Sequence, residues 1–372
     1  MNIRHIIEAI ESYAPRSFQE KWDNSGLQIA LPEGDGECTG VLLCLDVTEG
    51  IIREAERRGC NLVVSHHPLI FKGFKSLTGA TLQERAALAA IRAGIAVYSA
   101  HTSLDSTPGG VSYAMAELLG AEVTGVLSPA EGLECCLTVL CPRRISDDVR
   151  LLLLDDGAGA PLCAANTGAT DDAACSSADC EKVSLEPPTG VSALNIVHTP
   201  FCRVEARIPY SRLGSVMAAV RRLPSSAGTT FSTVPAPAGD AVGIGVYAVL
   251  PGQGISGEEF AARLKTVFGC GAMRVSAGFR PDARIRRIAL CGGSGGEFIG
   301  KAIASGVDAY VTADVRYHDF ADIADASCAV FDIGHFESES CAKSILYHVI
   351  TKKIPNFAVY YPETEINPVK YL

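Results

Sequence analysis

Long apolar runs are missing from this chain of 372 residues. Stretches such as 40–45 stop far short of the ~20 residues that cross a bilayer, so no membrane segment is expected. Basic charge is also in short supply: 32 Lys and Arg against 42 Asp and Glu leave a net charge of −10. A general nucleic-acid binder needs a basic face to neutralise phosphates; this balance argues against one, while leaving room for a local basic patch. Residues 1–8 lack the apolar run of a signal peptide and include Glu8, so a cytoplasmic protein is expected. Cysteine is frequent, at 14 residues, but no C-x-x-C pair occurs. That removes the zinc-ribbon and thioredoxin motifs. Cys44, Cys291 and Cys328 sit inside apolar runs and read as small buried hydrophobes.

What is present supports a large core. Hydrophobic residues make up 48% and charged residues 20%, which excludes global disorder, and at about 150 residues per domain the length implies two or three domains. Three regions differ in texture. From 1 to about 130, short apolar strands (41–45, 61–65, 95–98) alternate with helical patterns at 51–58, 81–93 and 111–119. From about 240 to 372 the texture returns: strands at 285–290, 309–312, 329–333 and 357–361, with helices through 304, near 318–325 and at 337–350. Such alternation indicates a parallel sheet covered on both faces, and the two flanks are expected to pair in one sheet. Residues 131–239 read differently, with strands at 136–140, 204–208 and 229–234, helices at 146–154 and 211–222, and a loop-rich stretch at 162–190. This order fits an inserted ferredoxin-like α+β domain. The fold class is therefore α/β: two α/β halves (1–130 and 240–372) forming one core around an insert.

Of eight histidines, those at three places end a predicted strand: His66-His67, His101 and His335. Ligands of parallel α/β sheets sit at the carboxyl ends of strands, and histidines that merely filled surface or core sites would be scattered. Neighbouring strand residues point to opposite faces, so His66 and His67 cannot both chelate one ion from within the strand. Pro68 marks the strand end, where the two imidazoles can diverge toward two ions. Asp105 offers a hard oxygen ligand, or else serves as a cap or turn residue. His335 and Glu339, at i and i+4, share a helix face, the spacing that H-E-x-x-H uses; Glu337 should face elsewhere. Five groups (His66, His67, Asp105, His335, Glu339) exceed one tetrahedral site and suit a pair of ions bridged by a carboxylate and water. His101 and His318 are candidates for proton transfer, His318 reading equally well as a surface histidine. The Gly292–Gly296 loop reads either as an anion cradle or as a tight turn. The 295–302 stretch, G-x-x-x-x-G-K-A, lacks the Ser/Thr of a Walker A motif.

At these residues the chain resembles the dinuclear-metal-centre hexameric proteins known as type 2 GTP cyclohydrolase I homologues, the Nif-three-like family. The matching stretches are W-D-N-S-G-L-Q at 22–28, C-L-D-V-T at 44–48, S-H-H-P-L-I-F at 65–71 and Y-S-A-H-T-S-L-D at 98–105. They continue with C-G-G-S-G at 291–295, T-A-D-V-R-Y-H-D at 312–319 and G-H-F-E-S-E at 334–339. The resemblance implies two divalent ions per chain held by His66, His67, Asp105, His335 and Glu339, with Glu339 bridging. Their mixed His and carboxylate set admits Zn, Fe, Mn, Co or Ni. It also implies a toroidal homohexamer whose metal sites face its cavity, and a purine nucleotide such as GTP as substrate, hydrolysed with release of formate. The insert resembles the PII-like or CutA-like domain of longer members. Where that domain carries His-Pro-Tyr-Glu-Glu-Pro, residues 223–228 read L-P-S-S-A-G. The alternative expectation is a non-enzymatic metal-binding hexameric scaffold or regulator, with the insert as sensor or interaction surface.

Overall fold

The structure, a computed structural model, describes residues 1–31, 36–130, 134–155, 201–224, 226–235 and 242–371. It contains two compact units, Met1–Glu131 with Ala238–Leu372, and Gly132–Pro237. Among the described residues no helix is long and apolar enough to cross a membrane.

The first unit holds two large sheets where one was expected, besides a two-stranded ribbon of Ile255–Ser256 and Arg284–Ile285. One has five strands in the order Gly26–Ile29, Ala96–Ser99, Leu62–Ser65, Val41–Cys44, Val359–Tyr360; the last four run parallel and the first antiparallel. The other has six, in the order Arg274–Val275, Ala329–Asp332, Ala309–Ala313, Arg287–Ser294, Gly243–Val249, Glu122–Pro129. Its second to fourth strands are parallel, and the outer ones are antiparallel additions. The halves thus exchange a strand: Val359–Tyr360 joins the N-terminal sheet, and Glu122–Pro129 joins the C-terminal one. Of the parallel strands, Val41–Cys44, Leu62–Ser65, Ala96–Ser99, Ala309–Ala313 and Ala329–Asp332 are buried at every position, as strands covered on both faces must be. Alternate residues divide between layers. Val41, Leu43, Leu62 and Val64 share a central core with Ile288, Leu290, Val311 and Phe331 of the other sheet and with Ile6, Met115 and Leu346 from helices. Leu42, Cys44, Val63 and Val97 face outward onto Ile51, Ile52, Ala86 and Ala90. The helices start where local chemistry says they should. The Thr48, Thr81 and Ser256 hydroxyls accept from the amides three residues on, capping Glu49–Arg57, Leu82–Ala93 and Gly257–Phe268.

In the second unit Glu134–Pro142 lies between Phe201–Pro209 and Thr230–Pro235, antiparallel to both. Helices Ser146–Asp155 and Tyr210–Arg222 accompany them, and a small core gathers Leu137, Val139, Val149, Ala206 and Val216. A ferredoxin-like sandwich needs four strands; the described residues supply three, and the loop-rich 162–190 lies outside them.

Candidate metal centre

The carboxyl ends of parallel strands from both sheets converge on one cluster. His66 and His67 follow Leu62–Ser65, and their amides still donate to Cys44 O (3.0 Å) and Leu45 O (2.9 Å). The His67 carbonyl then accepts from the hydroxyls of Ser65 (2.7 Å) and Ser99 (3.2 Å), which turns the chain at Pro68 and lets the two rings diverge. Asp46 follows Val41–Cys44, His101 follows Ala96–Ser99, and Asp314 follows Ala309–Ala313. Gly334, at φ 94°, opens the short helix His335–Glu339, so the helix begins at His335 itself and brings Glu339 beneath it.

Four imidazoles share a single arrangement. His66 Nδ1 donates to Ala100 O at 2.9 Å, His67 Nδ1 to Asp46 Oδ1 at 2.9 Å, His335 Nδ1 to Asp314 Oδ2 at 2.7 Å and His101 Nδ1 to Asp23 Oδ1 at 2.7 Å. Each of these partners can only accept, so each Nδ1 carries the proton and each Nε2 is left to act as a ligand or base. The rings of His66, His67 and His101 lie 5.1–5.7 Å apart, and those of His67 and His335 5.1 Å. Glu339 stands between them. Its Oε1 is 3.6 Å from His66 Nε2; its Oε2 is 2.7 Å from His67 Nε2 and 3.0 Å from His335 Nε2. Asp105 Oδ1 lies 3.6 Å from His66 Nε2.

These residues fit a cation. Among the described residues four buried side-chain polar atoms lack a hydrogen-bond partner, and two of them, His66 Nε2 and Asp105 Oδ1, belong to this cluster. Orphaned buried polar atoms are costly, and a metal satisfies both. Ligand atoms of His66, His67 and Glu339 all lie within 4.8 Å of one another. The charge pattern agrees. Burial resists a charged His67, yet Asp46 and Glu339 lift its pKa to about 10. In the same way Asp314 and Glu339 overcome burial to lift His335 to about 11. Burial also opposes ionisation of Glu339, but the His66 charge and hydrogen bonds from the imidazoles hold its pKa well below the usual carboxylate range. For Asp105 burial prevails and raises the pKa to about 6, with Glu339 adding to the rise against the pull of His66.

The structure therefore brings together His66, His67, Asp105, His335, Glu339 and His101. It leaves out His318, which is exposed at the start of Tyr317–Asp322 with its ring edge-on to Tyr317 and does not line the cavity beside the cluster. Glu337 was expected to face elsewhere; it is buried, accepts from Asn367 Nδ2 at 2.9 Å and lines that cavity. The glycine loop is a close approach: a Cβ on Gly293, at φ +63°, would collide with Glu339 Oε1. Lys301 donates to Ser128 Oγ at 2.9 Å, away from the loop. Asp23, Asp46 and Asp314 lie in stretches that carry the resemblance, at 22–28, 44–48 and 312–319, but nothing in their local pattern marks them as partners of the histidines. Asp23 is held by the Ser25 and Thr102 hydroxyls at 2.7 and 2.6 Å and by the Thr102 amide at 3.1 Å. The cavity measures about 890 Å³ and is walled by Leu45, Pro68, Phe71, Met273, Phe336 and Tyr371, with His67, His101 and His335 at its floor.

The fold and the cluster define an α/β protein with a candidate metal site, of the type the sequence resembles. The profile of the Duf34/NIF3 (NGG1p interacting factor 3) family matches residues 1–368, and the chain belongs to that family. Among its relatives, a protein of Halalkalibacterium halodurans named GTP cyclohydrolase 1 type 2 homolog is 30% identical, over 90% of this chain and 88% of its own. The Bacillus subtilis protein of the same name is 28% identical over 100% and 99%. Among solved structures, a Bacillus cereus protein related to NIF3 matches with a TM-score of 0.73 and 26% identity over 100% of this chain and 99% of its own. A Staphylococcus aureus protein shares the fold, with a TM-score of 0.77 and 23% identity over 100% and 99%.

Proposed function

We propose that the chain is a dinuclear metal-dependent hydrolase. The observation that carries this reading is the placement of Glu339, one oxygen toward His66 and the other toward His67 and His335. His66, Asp105 and Glu339 would hold one ion, and His67, His335 and Glu339 the second. When bound, such a pair lowers the pKa of coordinated water and supplies a nucleophile at neutral pH. Asp46 and Asp314 orient the His67 and His335 rings. His101, its Nδ1 fixed by Asp23, presents Nε2 to the cavity floor as the group that accepts a proton and returns it to the leaving group. The apolar side chains in the cavity walls offer a planar substrate a surface to pack on, beside the polar groups of Arg274, Asp332 and Asn367.

The relatives' name points to a purine nucleotide such as GTP, opened at its imidazole ring with release of formate. The resemblance points to a homohexamer, and the three described strands of the second unit support a ferredoxin-like insert. The test is elemental analysis combined with GTP turnover on metal-loaded protein. The reading expects about two ions per chain and formate release that His101→Ala lowers about 10²–10⁴-fold. Full metal content without turnover of GTP would instead assign a metal-holding scaffold.

A further inference from the structure

A second cavity, of about 450 Å³, opens at the other ends of the parallel strands of the six-stranded sheet, where Arg287, Asp308 and Ala329 lead into them. The strand Ala309–Ala313 separates it from Asp314 and the metal cluster by about 16 Å. Residues 280–287 read R-P-D-A-R-I-R-R, four arginines in eight residues of a chain whose net charge is −10. Three of them, Arg280, Arg284 and Arg287, line the cavity.

Among the described residues none of the three guanidiniums is held in an ion pair. The Arg280 side chain has no hydrogen bond or ion pair among the described residues. The Arg284 guanidinium donates only to Gly254 O, at 3.1 Å, and that of Arg287 only to Gly306 O. The lining carboxylate, Asp308, is engaged elsewhere: its Oδ2 accepts the amides of Arg286 (2.9 Å) and Arg287 (2.8 Å). By contrast Arg57, Arg58, Arg274 and Arg316 each meet a carboxylate. Three guanidiniums around one concave space repel one another until an anion enters, and a guanidinium fork matches the oxygens of phosphate. The volume is that of a small-molecule site.

We infer that this cavity binds a phosphate-bearing small molecule through Arg280, Arg284 and Arg287. The site is separate from the metal centre and does not depend on the hydrolase reading. The probe is inorganic pyrophosphate, titrated calorimetrically into the full chain. One equivalent should bind per chain in Glu339→Ala, which lacks the central carboxylate of the metal cluster, and one of the equivalents bound by the unaltered chain should be the same site. In either background Arg280→Ala and Arg287→Ala should weaken that equivalent at least tenfold. Arg280→Lys should restore part of the loss, and Arg286→Ala, whose side chain does not line the cavity, should change nothing. Arg280 makes no contact on which the fold depends, so its variant should keep its full metal content.

Tripolyphosphate and a nucleoside triphosphate separate the two sources of the chemistry. Equal affinities assign a free polyphosphate, and nucleotide binding more than tenfold tighter assigns a nucleotide's phosphate chain. Pyrophosphate binding that is indifferent to Arg280→Ala and Arg287→Ala, or that disappears with Glu339→Ala, would overturn the inference.

Discussion

His67 Nε2 and His335 Nε2 lie 3.2 Å apart, although the residues are 268 positions apart in the chain. Each ring has spent its Nδ1 proton on an aspartate, so two lone pairs face each other unless a proton or a metal ion stands between them. Glu339 Oε2 completes the triangle. This arrangement of two donors and a carboxylate underlies the predictions that follow.

Glu339 and Glu337 should behave oppositely. Glu339→Ala removes the oxygen facing each imidazole group and should cost most of the bound metal. Glu337→Ala removes an acceptor for Asn367 and should leave metal content near that of the unaltered chain. Elemental analysis of the two purified variants decides; the reverse ranking would mean the ligand set is misassigned.

Metal uptake should release protons. With pKa values of about 10 and 11, His67 and His335 are protonated at pH 7 in the metal-free chain, and a metal must displace both. Affinity should therefore rise with pH, by about 100-fold per unit if two protons leave. The metal-free chain runs the other way. Its raised histidine pKa values contribute stability that is fully present below about 6.5 and is lost as pH climbs through about 10–11. Calorimetric zinc titration in buffers of different ionisation enthalpy counts the protons, and a count near zero contradicts the assignment.

Gly293→Ala should damage the site out of proportion to its size. The left-handed backbone costs roughly 1–2 kcal/mol with a Cβ, and that Cβ would also displace the Glu339 carboxylate. Gly59, at φ +70° with open space around it, is the control: Gly59→Ala carries the backbone cost alone. Thermal melts should show both destabilised, while metal content should fall only for Gly293→Ala.

Replacing 133–237 by a short Gly/Ser linker should leave a folded chain with its metal centre. Pro129 and Gly243 are paired neighbours, and the Ala130 amide donates to Val242 O at 2.9 Å, so the ends to be joined already lie side by side. Metal content and oligomer size of the deletion variant are the readout. Aggregation or loss of metal would place part of 133–237 in the core.

The centre was legible where local pattern was enough. A short apolar run ending in His66-His67, His101 or His335 marks a strand end, and an i, i+4 pair needs only a helix beneath it. The role of the aspartates that aim the rings was not legible, because an acid beside a strand is what any turn carries. Their function arises across 21 residues for Asp46 and Asp314 and 78 for Asp23. Asp314 also sits at φ 53°, a conformation aspartate tolerates but does not announce. Splitting one expected sheet into two was equally invisible, since strand partners are chosen by distant contacts. Glu122–Pro129, with its alternating exposure, pairs beyond the insert, and two-residue strands such as Val359–Tyr360 are too short to carry a period.

The strand exchange between halves has a consequence for synthesis. As the chain leaves the ribosome, the N-terminal sheet emerges with the Val41–Cys44 edge bare, and that edge is covered only when the distant Val359–Tyr360 has been made. His66 and His67 wait equally long for His335 and Glu339. Until that segment is made, nascent chains therefore carry an open strand edge and an incomplete set of candidate ligands. Exposed edges of this kind pair with whatever strand comes near. Products stalled or truncated before His335 should consequently be both metal-poor and prone to aggregate, and loading with metal should follow synthesis of the His335–Glu339 segment.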